Sequence, residues 1–434
     1  MHTILRTTYQ YLLYIFIFSI PWHTIWILRE VFYGNEKWQY STIGIYTSDI
    51  ALILLIAISI YLYKDILLTQ IFKRPKLLLS GLFLSIWGFI SIVWANDKEF
   101  AFYFAIKLSV ILDLFFLIQI IPFNIYKLII VFFTSVFIQS IIGLYQFITQ
   151  QTFAQKFLGL QYHDIFSGGN AIVQTHGERW LRAYGGTPHP NIFGLIILCA
   201  LLLGIYLFIK RNSNIFFKTF ILFGIVLLTA NILYTFSRTI WLTSILSIFA
   251  LIIYSYKNNR QIFKRLIIPV LLISLTILII IILSYNLFFD RISKDTTFSH
   301  NSISDRSLYI SQSKSLIISH PVIGVGIGNY TNTLKINSKT KKPLWQYQPV
   351  HNIYLLISSE LGLIGFGLFI LFIINIFYAL HLDKKNTSIT QFIFVTLFIG
   401  ILFISLFDHL AWTSHFGLIA LFLFSGLSLR KYKP

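Results

Sequence analysis

Long apolar stretches alternate with short polar segments along most of this chain. A helix needs roughly 17–25 apolar residues to cross the hydrocarbon core of a bilayer. Stretches of that kind lie near residues 9–28, 46–63, 77–94, 100–121, 127–147, 190–209, 216–235, 239–256, 266–288, 351–380, 388–407 and 412–429. The pattern predicts an all-α, polytopic integral membrane protein of about twelve transmembrane helices, which forms a single transmembrane domain over residues 1–434.

Two segments between the predicted spans are too long to be simple connections. One covers residues 148–189, and the other covers residues 289–350, between the ninth and tenth spans. Loops of this length often carry function. The second segment contains an amphipathic pattern from Ser307 to Ser319, a helix stop at Pro321 and a glycine-rich turn. We expect this second segment to form a small cap beside the membrane.

The composition supports a membrane protein and excludes other classes. Hydrophobic residues make up 56% of the chain and charged residues 11%, whereas soluble proteins carry roughly 25% charged residues. A soluble enzyme, a disordered chain and a fibrous protein are therefore excluded. Cys199 is the single cysteine, so the sequence predicts neither a disulfide framework nor a cysteine metal site.

The net charge of +19 would suggest a nucleic-acid partner in a soluble protein. In this chain the basic residues instead gather in every second segment between spans when the N-terminus is placed in the cytoplasm, which is the positive-inside bias of membrane proteins. Examples are Lys64, Lys73, Arg74, Lys76, Lys257, Arg260, Lys264, Arg265, Arg430 and Lys431. Both termini are therefore predicted to be cytoplasmic, and the two long segments are predicted to be extracytoplasmic.

Two arginines stand out among the polar residues at the outer ends of the predicted spans. Arg238 occupies a turn of a few residues between the seventh and eighth spans. It is either an interfacial anchor beside Trp241 or a fixed, partly desolvated guanidinium that binds an anion. Arg182 precedes a glycine- and proline-rich segment, and Pro190 opens the sixth span. A helix N-terminus beside an arginine suits an anion, although the segment also fits an ordinary loop rich in turn residues.

A histidine marks the start of the tenth predicted span. His351 is followed directly by Asn352, and Glu360 comes nine residues after the histidine. On a helix this spacing separates two side chains by about 13 Å along the axis and puts them on opposite faces. His351 and Glu360 are therefore not expected to form an acid–base pair, and Glu360 is expected to bond another helix.

Several other chemistries lack their sequence motifs. The chain has no Asp-x-Asp, His-x-x-x-His, Gly-x-Ser-x-Gly or Walker motif, so we predict no metal site, no nucleotide and no other cofactor. Lys107 and Asp113 lie within the fourth predicted span, where charged residues face protein or water. These two residues leave a transporter or flippase open as an alternative class.

One motif around the histidine connects the chain with a known family. His351, Asn352, Gly362 and Gly365 match the pattern His, Asn/Ser/Gln, nine residues, Gly, two residues, Gly/Thr/Tyr. Further similar segments are RAYGGTPHPN (182–191), FSRTIWL (236–242), PVIGVGIGNY (321–330) and DHLAW (408–412). Over residues 179–415 the chain resembles the O-antigen ligase and O-antigen polymerase superfamily of polytopic membrane glycosyltransferases.

The resemblance implies a fold and a reaction. The fold would be that of a GT-C-like membrane glycosyltransferase with a large extracytoplasmic loop. The reaction would be a metal-independent, inverting transfer of a glycan from an undecaprenyl-diphosphate carrier to a glycan or glycolipid acceptor. It would take place on the outer face of the bacterial cytoplasmic (inner) membrane, during lipopolysaccharide or surface glycan assembly.

The resemblance also assigns roles to individual residues. Arg182 and Arg238 would hold the diphosphate, and His351 would activate the acceptor hydroxyl. Less direct substrate contacts would come from Arg306, Asn352, His189 and Asn191. The motif around the histidine favours a ligase, while a surface polysaccharide polymerase and an O-linked oligosaccharyltransferase remain as alternatives that differ in the acceptor.

Overall fold

The computed structural model of the protein describes residues 2–33, 36–175, 178–210, 214–292, 297–338, 343–382 and 388–432. Its helices are α1 (His2–Ser19), α2 (Thr47–Ile71), α3 (Pro75–Ile90), α4 (Lys98–Ile120), α5 (Ile125–Thr149), α6 (Pro190–Lys210), α7 (Ile215–Tyr234), α8 (Arg238–Asn258), α9 (Arg260–Leu283), α10 (Tyr285–Ile292), α11 (Thr297–Ser319), α12 (Tyr330–Asn337), α13 (Ile353–Leu382), α14 (Ile389–Ile404), α15 (Leu410–Thr413) and α16 (His415–Ser428). Short strands form three antiparallel pairs, which are β1 (Ile25–Arg29) with β4 (Ile43–Tyr46), β2 (Phe32–Tyr33) with β3 (Glu36–Lys37), and β5 (Ile172–Thr175) with β6 (Glu178–Leu181).

Nine helices within the described ranges are long and apolar enough to cross a membrane, namely α2 to α9 and α13. This confirms the all-α, polytopic membrane architecture that the sequence predicts. The other three predicted spans correspond to α1, α14 and α16, which have 18, 16 and 14 residues. The last two are short because a polar segment between Ser405 and Ser414 interrupts the apolar run.

The boundary of the first predicted span is corrected. The apolar run was expected to form a helix over residues 9–28, but α1 ends at Ser19 and Pro21 follows. Proline removes a backbone donor and does not continue a helix. The residues beyond it form β1, in which Ile25 lies opposite Tyr46 of β4. A small sheet therefore connects α1 to α2.

The basic residues meet at one end of the helices, which we call the basic end. Nη1 of Arg74 donates to Oε1 of Gln119 at 3.3 Å. Nη1 of Arg430 donates to the backbone oxygens of Ile118 and Ile121 at 2.9 and 2.7 Å. Both arginines therefore bond the C-terminal end of α4, as suits the negative end of a helix dipole.

The two long segments lie at the opposite end, which we call the site end, and both are folded. Residues 148–189 contain the hairpin of β5 and β6, and residues 289–350 contain α11, α12 and the last part of α10. The amphipathic pattern at 307–319 correctly predicted a helix, since it forms the second half of α11. A hydrogen bond from Thr175 Oγ1 to Asp290 Oδ2 joins the two segments. Residues 293–296 and 339–342 of the predicted cap lie outside the described residues.

A break in α13 receives the glycine-rich turn that precedes α12. Gly362 has φ 67° and ψ −173°, so the helix is interrupted there. A Cβ atom at this position would lie 2.2 Å from the backbone oxygen of Val322. The amide N–H groups of Val325 and Gly326 donate to the backbone oxygens of Ser359 and Glu360 at 3.0 and 2.8 Å. The glycine of the sequence motif therefore permits a close approach of two backbones beneath the site.

Candidate active site

A cavity of about 630 Å³ lies at the site end of the bundle. This volume is in the range of pockets that bind small molecules, roughly 300–1,000 Å³. Its polar lining comes from separate parts of the chain and includes His189, His351, Glu360, Asp408 and His409. Two of the predicted site residues, His189 and His351, are in this lining.

His351 stands just before α13 and faces a buried carboxylate. Nδ1 of His351 lies 3.5 Å from Oδ1 of Asp408. The other carboxylate oxygen, Oδ2, accepts a hydrogen bond from Nδ2 of Asn191 at 2.8 Å. Burial by itself raises the pKa of the Asp408 carboxyl, but the contact with His351 and the nearby imidazoles of His409 and His189 hold this pKa below its usual range. Asp408 is therefore a carboxylate at neutral pH and can orient the imidazole.

Arg182 extends this chain of contacts. It follows β6 and is buried. Its Nη2 donates to Oδ1 of Asn191 at 2.7 Å, and its Nε donates to the backbone oxygen of Thr235 at 2.5 Å. Burial, together with the charge of Arg291, lowers the pKa of Arg182 to about 9, so the guanidinium is charged at neutral pH. Asn191 therefore links this cation to Asp408 and His351.

Arg238 belongs to a separate cluster of cations beside α10. Its Nη2 donates to the backbone oxygen of Arg291 at 2.6 Å, and Nε of Arg291 donates to the backbone oxygen of Phe236 at 3.2 Å. Burial, together with the charges of Arg238 and Arg306, lowers the pKa of Arg291 to about 10. Among the side chains that the structure describes, no carboxylate forms an ion pair with these three arginines. The cluster is thus suited to an anion.

The turn before Arg238 is strained. Phe236 is buried and has φ 46°, a left-handed conformation that is uncommon for an aromatic residue. Such a conformation persists only where the surroundings impose it, and it is frequent at functional sites. The strained turn and the buried Ser237 fix the backbone of Arg238, which is the first residue of α8, while the Arg238 side chain is exposed.

Six of the seven predicted site residues therefore fall into three groups. His351 and His189 line the cavity, and Arg182 and Asn191 lie directly behind it through Asp408. Arg238 and Arg306 are exposed and belong to the arginine cluster rather than to the cavity lining.

The Asn352 side chain forms two structural hydrogen bonds in the free protein. Its Oδ1 accepts the N–H of Leu355 at 3.0 Å, and its Nδ2 donates to the backbone oxygen of Leu406 at 3.1 Å. The first contact caps α13, and the second ties this helix to the segment that carries Asp408. Asn352 therefore fixes the approach of His351 to Asp408.

His189 is placed as a neutral hydrogen-bonding group of the cavity. Its Nδ1 accepts the N–H of Asn191 at 3.1 Å. Burial, followed by the charge of Arg182, lowers the pKa of His189 to about 3. The ring is therefore neutral at physiological pH, and with Nδ1 as the acceptor its Nε2 carries the proton.

Sequence reasoning missed three residues of the site, which are Asp408, His409 and Arg291. The first two stand in the polar gap between α14 and α16, in the DHLAW segment that resembles the family but received no role. Arg291 lies outside every short segment on which the family resemblance was based. Glu360 behaves as expected, since Trp412 Nε1 donates to its Oε2 at 3.0 Å.

One group of residues offers metal-ligating atoms. Among the described residues, ligand atoms of His351, Asp408 and His409 all lie within 4.8 Å of one another. Two imidazoles and a carboxylate form a donor set that zinc can use. Each oxygen of Asp408 also accepts an N–H donor, from Asn191 at 2.8 Å and from the backbone of His409 at 2.8 Å. Each carboxylate oxygen has two lone pairs, so these bonds are compatible with an oriented base and with a metal ligand. Metal independence stays a prediction.

The fold and these side chains define a multi-pass, all-helical membrane protein with a polar site at one end of its helices. A protein-family model described as O-antigen ligase matches residues 223–370. The match confirms the resemblance to the O-antigen ligase superfamily and indicates an O-antigen ligase-like, glycosyltransferase-like enzyme. It includes Arg238, Arg291, Arg306 and His351, whereas Asp408 lies beyond it. No curated protein matches this chain.

Proposed function

We propose that the protein transfers a glycan from an undecaprenyl-diphosphate carrier to an acceptor, as a ligase of lipopolysaccharide or surface glycan assembly. The observation that carries this proposal is the Asp408–His351 pair, which lines the cavity and is linked through Asn191 and Arg182 to the turn before Arg238. An activating base and a set of cations are the two parts that such a transfer requires.

The acceptor hydroxyl is activated by His351. With Nδ1 facing Asp408, Nε2 takes the hydroxyl proton while the oxygen attacks the anomeric carbon of the donor. The ionised carboxylate holds the ring in this tautomer and stabilises the imidazolium that forms. The distance of 3.5 Å between Nδ1 and Oδ1 is long for a hydrogen bond. Catalytic hydrogen bonds are often long in the free enzyme and shorten when the substrate binds.

The leaving group is stabilised by the arginines. Breaking the bond between the anomeric carbon and the diphosphate oxygen leaves additional negative charge on the diphosphate. Arg238, Arg291 and Arg306 supply planar N–H forks for phosphate oxygens, and the charge of Arg182 adds to the field from its buried position. A single in-line displacement inverts the anomeric configuration, and undecaprenyl diphosphate is released.

The charge distribution supports an active site on the outer face of the cytoplasmic membrane. The basic end of the bundle carries Arg74, Arg260, Arg265 and Arg430, and the site lies at the opposite end. Positive residues are retained on the cytoplasmic side. This orientation gives cytoplasmic termini and brings the site to the face where carrier-linked glycans are exposed.

A transfer assay tests the proposal. We expect the full-length protein in lipid nanodiscs, supplied with an undecaprenyl-diphosphate-linked glycan, to attach that glycan to lipid A core. The product is identified by mass spectrometry, with the donor alone and empty nanodiscs as controls. A lengthened carrier-linked glycan as the sole product would assign the protein as a polymerase, and a protein acceptor would assign an oligosaccharyltransferase. Absence of transfer to all three acceptors would contradict the proposal.

Transfer should survive removal of divalent metals. The proposed mechanism uses an imidazole base and guanidinium groups, so EDTA in the assay is expected to leave the initial rate unchanged. Equal EDTA preloaded with zinc serves as the control for effects on the membrane. If EDTA abolished transfer and zinc or magnesium restored it, the group of His351, Asp408 and His409 would be a metal site instead.

A further inference from the structure

The cavity has a second polar region that the proposed transfer does not use. It is formed by Lys107 of α4, Tyr103 one turn before it, Tyr46 of β4, His415 of α16 and His23 from the segment after α1, and all five line the cavity. We call this group the Lys107 pocket. Its residues come from four separate parts of the chain, and it contains a charged group inside a membrane-spanning helix.

The Lys107 ammonium has no ionic partner among the described residues. Nζ lies 4.6 Å from the ring centroid of Tyr46 and 5.6 Å from that of Tyr103. In the part of the chain that the structure describes, Lys107 forms no hydrogen bond and no ion pair. The side chain is partly exposed and lines the cavity. A cation within a span is normally paired or faces a water-filled space, so its N–H donors are available to a ligand in the cavity.

The nearest carboxylate is committed elsewhere. Asp49 attracts Lys107 electrostatically but forms no ion pair with it among the described contacts. Its Oδ2 accepts the N–H of Tyr46 at 3.0 Å and so caps α2, and its Oδ1 lies 3.7 Å from Nδ1 of His415. Asp49 therefore reduces the positive potential of the pocket without forming an ion pair with the Lys107 ammonium among the described contacts.

The other walls of the pocket are held rigidly. His415 stacks on Tyr46 with ring centroids 3.8 Å apart, and its Nε2 contacts Ser48 Oγ at 2.6 Å. Nε2 of His23 contacts the Tyr46 hydroxyl at 3.1 Å, while its buried Nδ1 has no hydrogen-bond partner among the described residues. Burial, followed by the charge of Lys107, lowers the pKa of His23 to about 4. His23 is therefore neutral at physiological pH, and the pocket presents the Lys107 nitrogen, flat aromatic faces and an unused imidazole nitrogen.

We propose that the Lys107 pocket binds an anionic group, a carboxylate or a phosphate, on the saccharide that enters the cavity as acceptor. This inference rests on the proposed transferase function and deepens it by giving the substrate class, which is an acidic saccharide. A few charged or polar groups on mostly aromatic walls are what ligand pockets use to fix orientation. The anion pairs with the Lys107 ammonium, and the rest of the saccharide occupies the cavity that His351 also lines.

A binding measurement tests this assignment. The probes are glucuronic acid, glucose 6-phosphate, inorganic phosphate and neutral glucose, and binding to the full-length protein in nanodiscs is measured by saturation-transfer NMR. We expect at least one of the two acidic sugars to bind about tenfold more tightly than glucose. Phosphate alone should compete only with glucose 6-phosphate if the phosphate group dominates recognition, and with both acidic sugars if any anion suffices.

Variants separate the pocket from general charge effects. Lys107→Gln should remove the preference for the acidic sugar, and Lys107→Arg should keep it. Lys64→Gln is the matched control, because Lys64 lines a different cavity between α2 and α4, and it should bind like the wild type. Equal binding of glucose and both acidic sugars by the wild type would overturn the assignment even if a variant failed to fold. An unchanged preference in folded Lys107→Gln would do the same.

The binding test and the transfer assay give independent answers, because binding of the sugars is measured without a donor. A protein that prefers acidic sugars through Lys107 but transfers no glycan would overturn the function and leave the anion pocket. A protein that transfers glycans equally well to acidic and neutral acceptors would overturn the pocket and leave the function. If the protein transfers glycans and the Lys107 pocket binds the acidic acceptor, Lys107→Gln raises KM for that acceptor and leaves kcat nearly unchanged.

Discussion

His351→Ala should abolish glycan transfer while carrier-linked glycan still binds. The imidazole is the base that takes the acceptor proton in the proposed mechanism, and a positioned general base contributes about 10²–10⁴-fold to a rate. The cations that hold the diphosphate lie on other elements, so binding of the donor does not depend on this side chain. The two quantities are measured as the initial rate of transfer and as retention of radiolabelled donor by nanodiscs.

Two further variants separate the base from a merely structural histidine. His351→Gln keeps hydrogen-bonding capacity but cannot accept the proton, so it should also be inactive. Asp408→Asn should lose part of the rate, since it leaves the imidazole in place but removes the carboxylate that orients it. His381→Gln, an exposed position at the other end of α13, should behave as wild type. An active His351→Gln enzyme would remove His351 from the role of base.

Arg238→Lys should reduce transfer strongly in a protein that folds normally. Lysine keeps the charge but lacks the planar fork that bonds two phosphate oxygens, and it cannot reproduce the directional N–H donors of the guanidinium. Losing one donor to developing negative charge typically slows catalysis by about 10²–10³-fold. The side chain is exposed, so the melting temperature should change little. The measurement is kcat for transfer with saturating donor and acceptor.

Arg260→Lys provides the matched control. Arg260 is also an exposed arginine at the start of a helix, but it lies at the basic end and stacks on Tyr256. We expect normal transfer from this variant. Normal kcat in Arg238→Lys would show that Arg238 is an interfacial anchor. The anion would then be bound by Arg291 and Arg306.

Much of the fold follows from hydropathy, and its failures have a physical cause. Long apolar runs specify helices because a bilayer core requires every backbone N–H to be satisfied within the segment. The same measure counts apolar residues and does not distinguish a helix from a strand. It therefore extended the first span through residues that form β1, although Pro21 marks the boundary. Hydropathy also located α14 and α16, which have 16 and 14 residues, but it placed their ends a few residues too far into the polar segment between them.

The site was predictable where its chemistry is local in sequence. His351 is found through a motif whose spacing includes Gly362, and the structure explains that glycine by the break in α13. Asp408 and Arg291 are not found, because their partners His351 and Phe236 are distant in the chain and meet only through packing. Lys107 illustrates the intermediate case. A charge in an apolar run is visible in the sequence, whereas its lack of an ionic partner among the described residues is visible only in the structure.

The most direct test of the proposed transfer is the release of undecaprenyl diphosphate from purified carrier-linked glycan, measured for wild type and His351→Gln with and without acceptor. Wild type should release undecaprenyl diphosphate in an amount equal to the glycan transferred, and only when acceptor is present. His351→Gln should release none. Transfer without release of undecaprenyl diphosphate, or equal release from both proteins, would contradict the proposed mechanism.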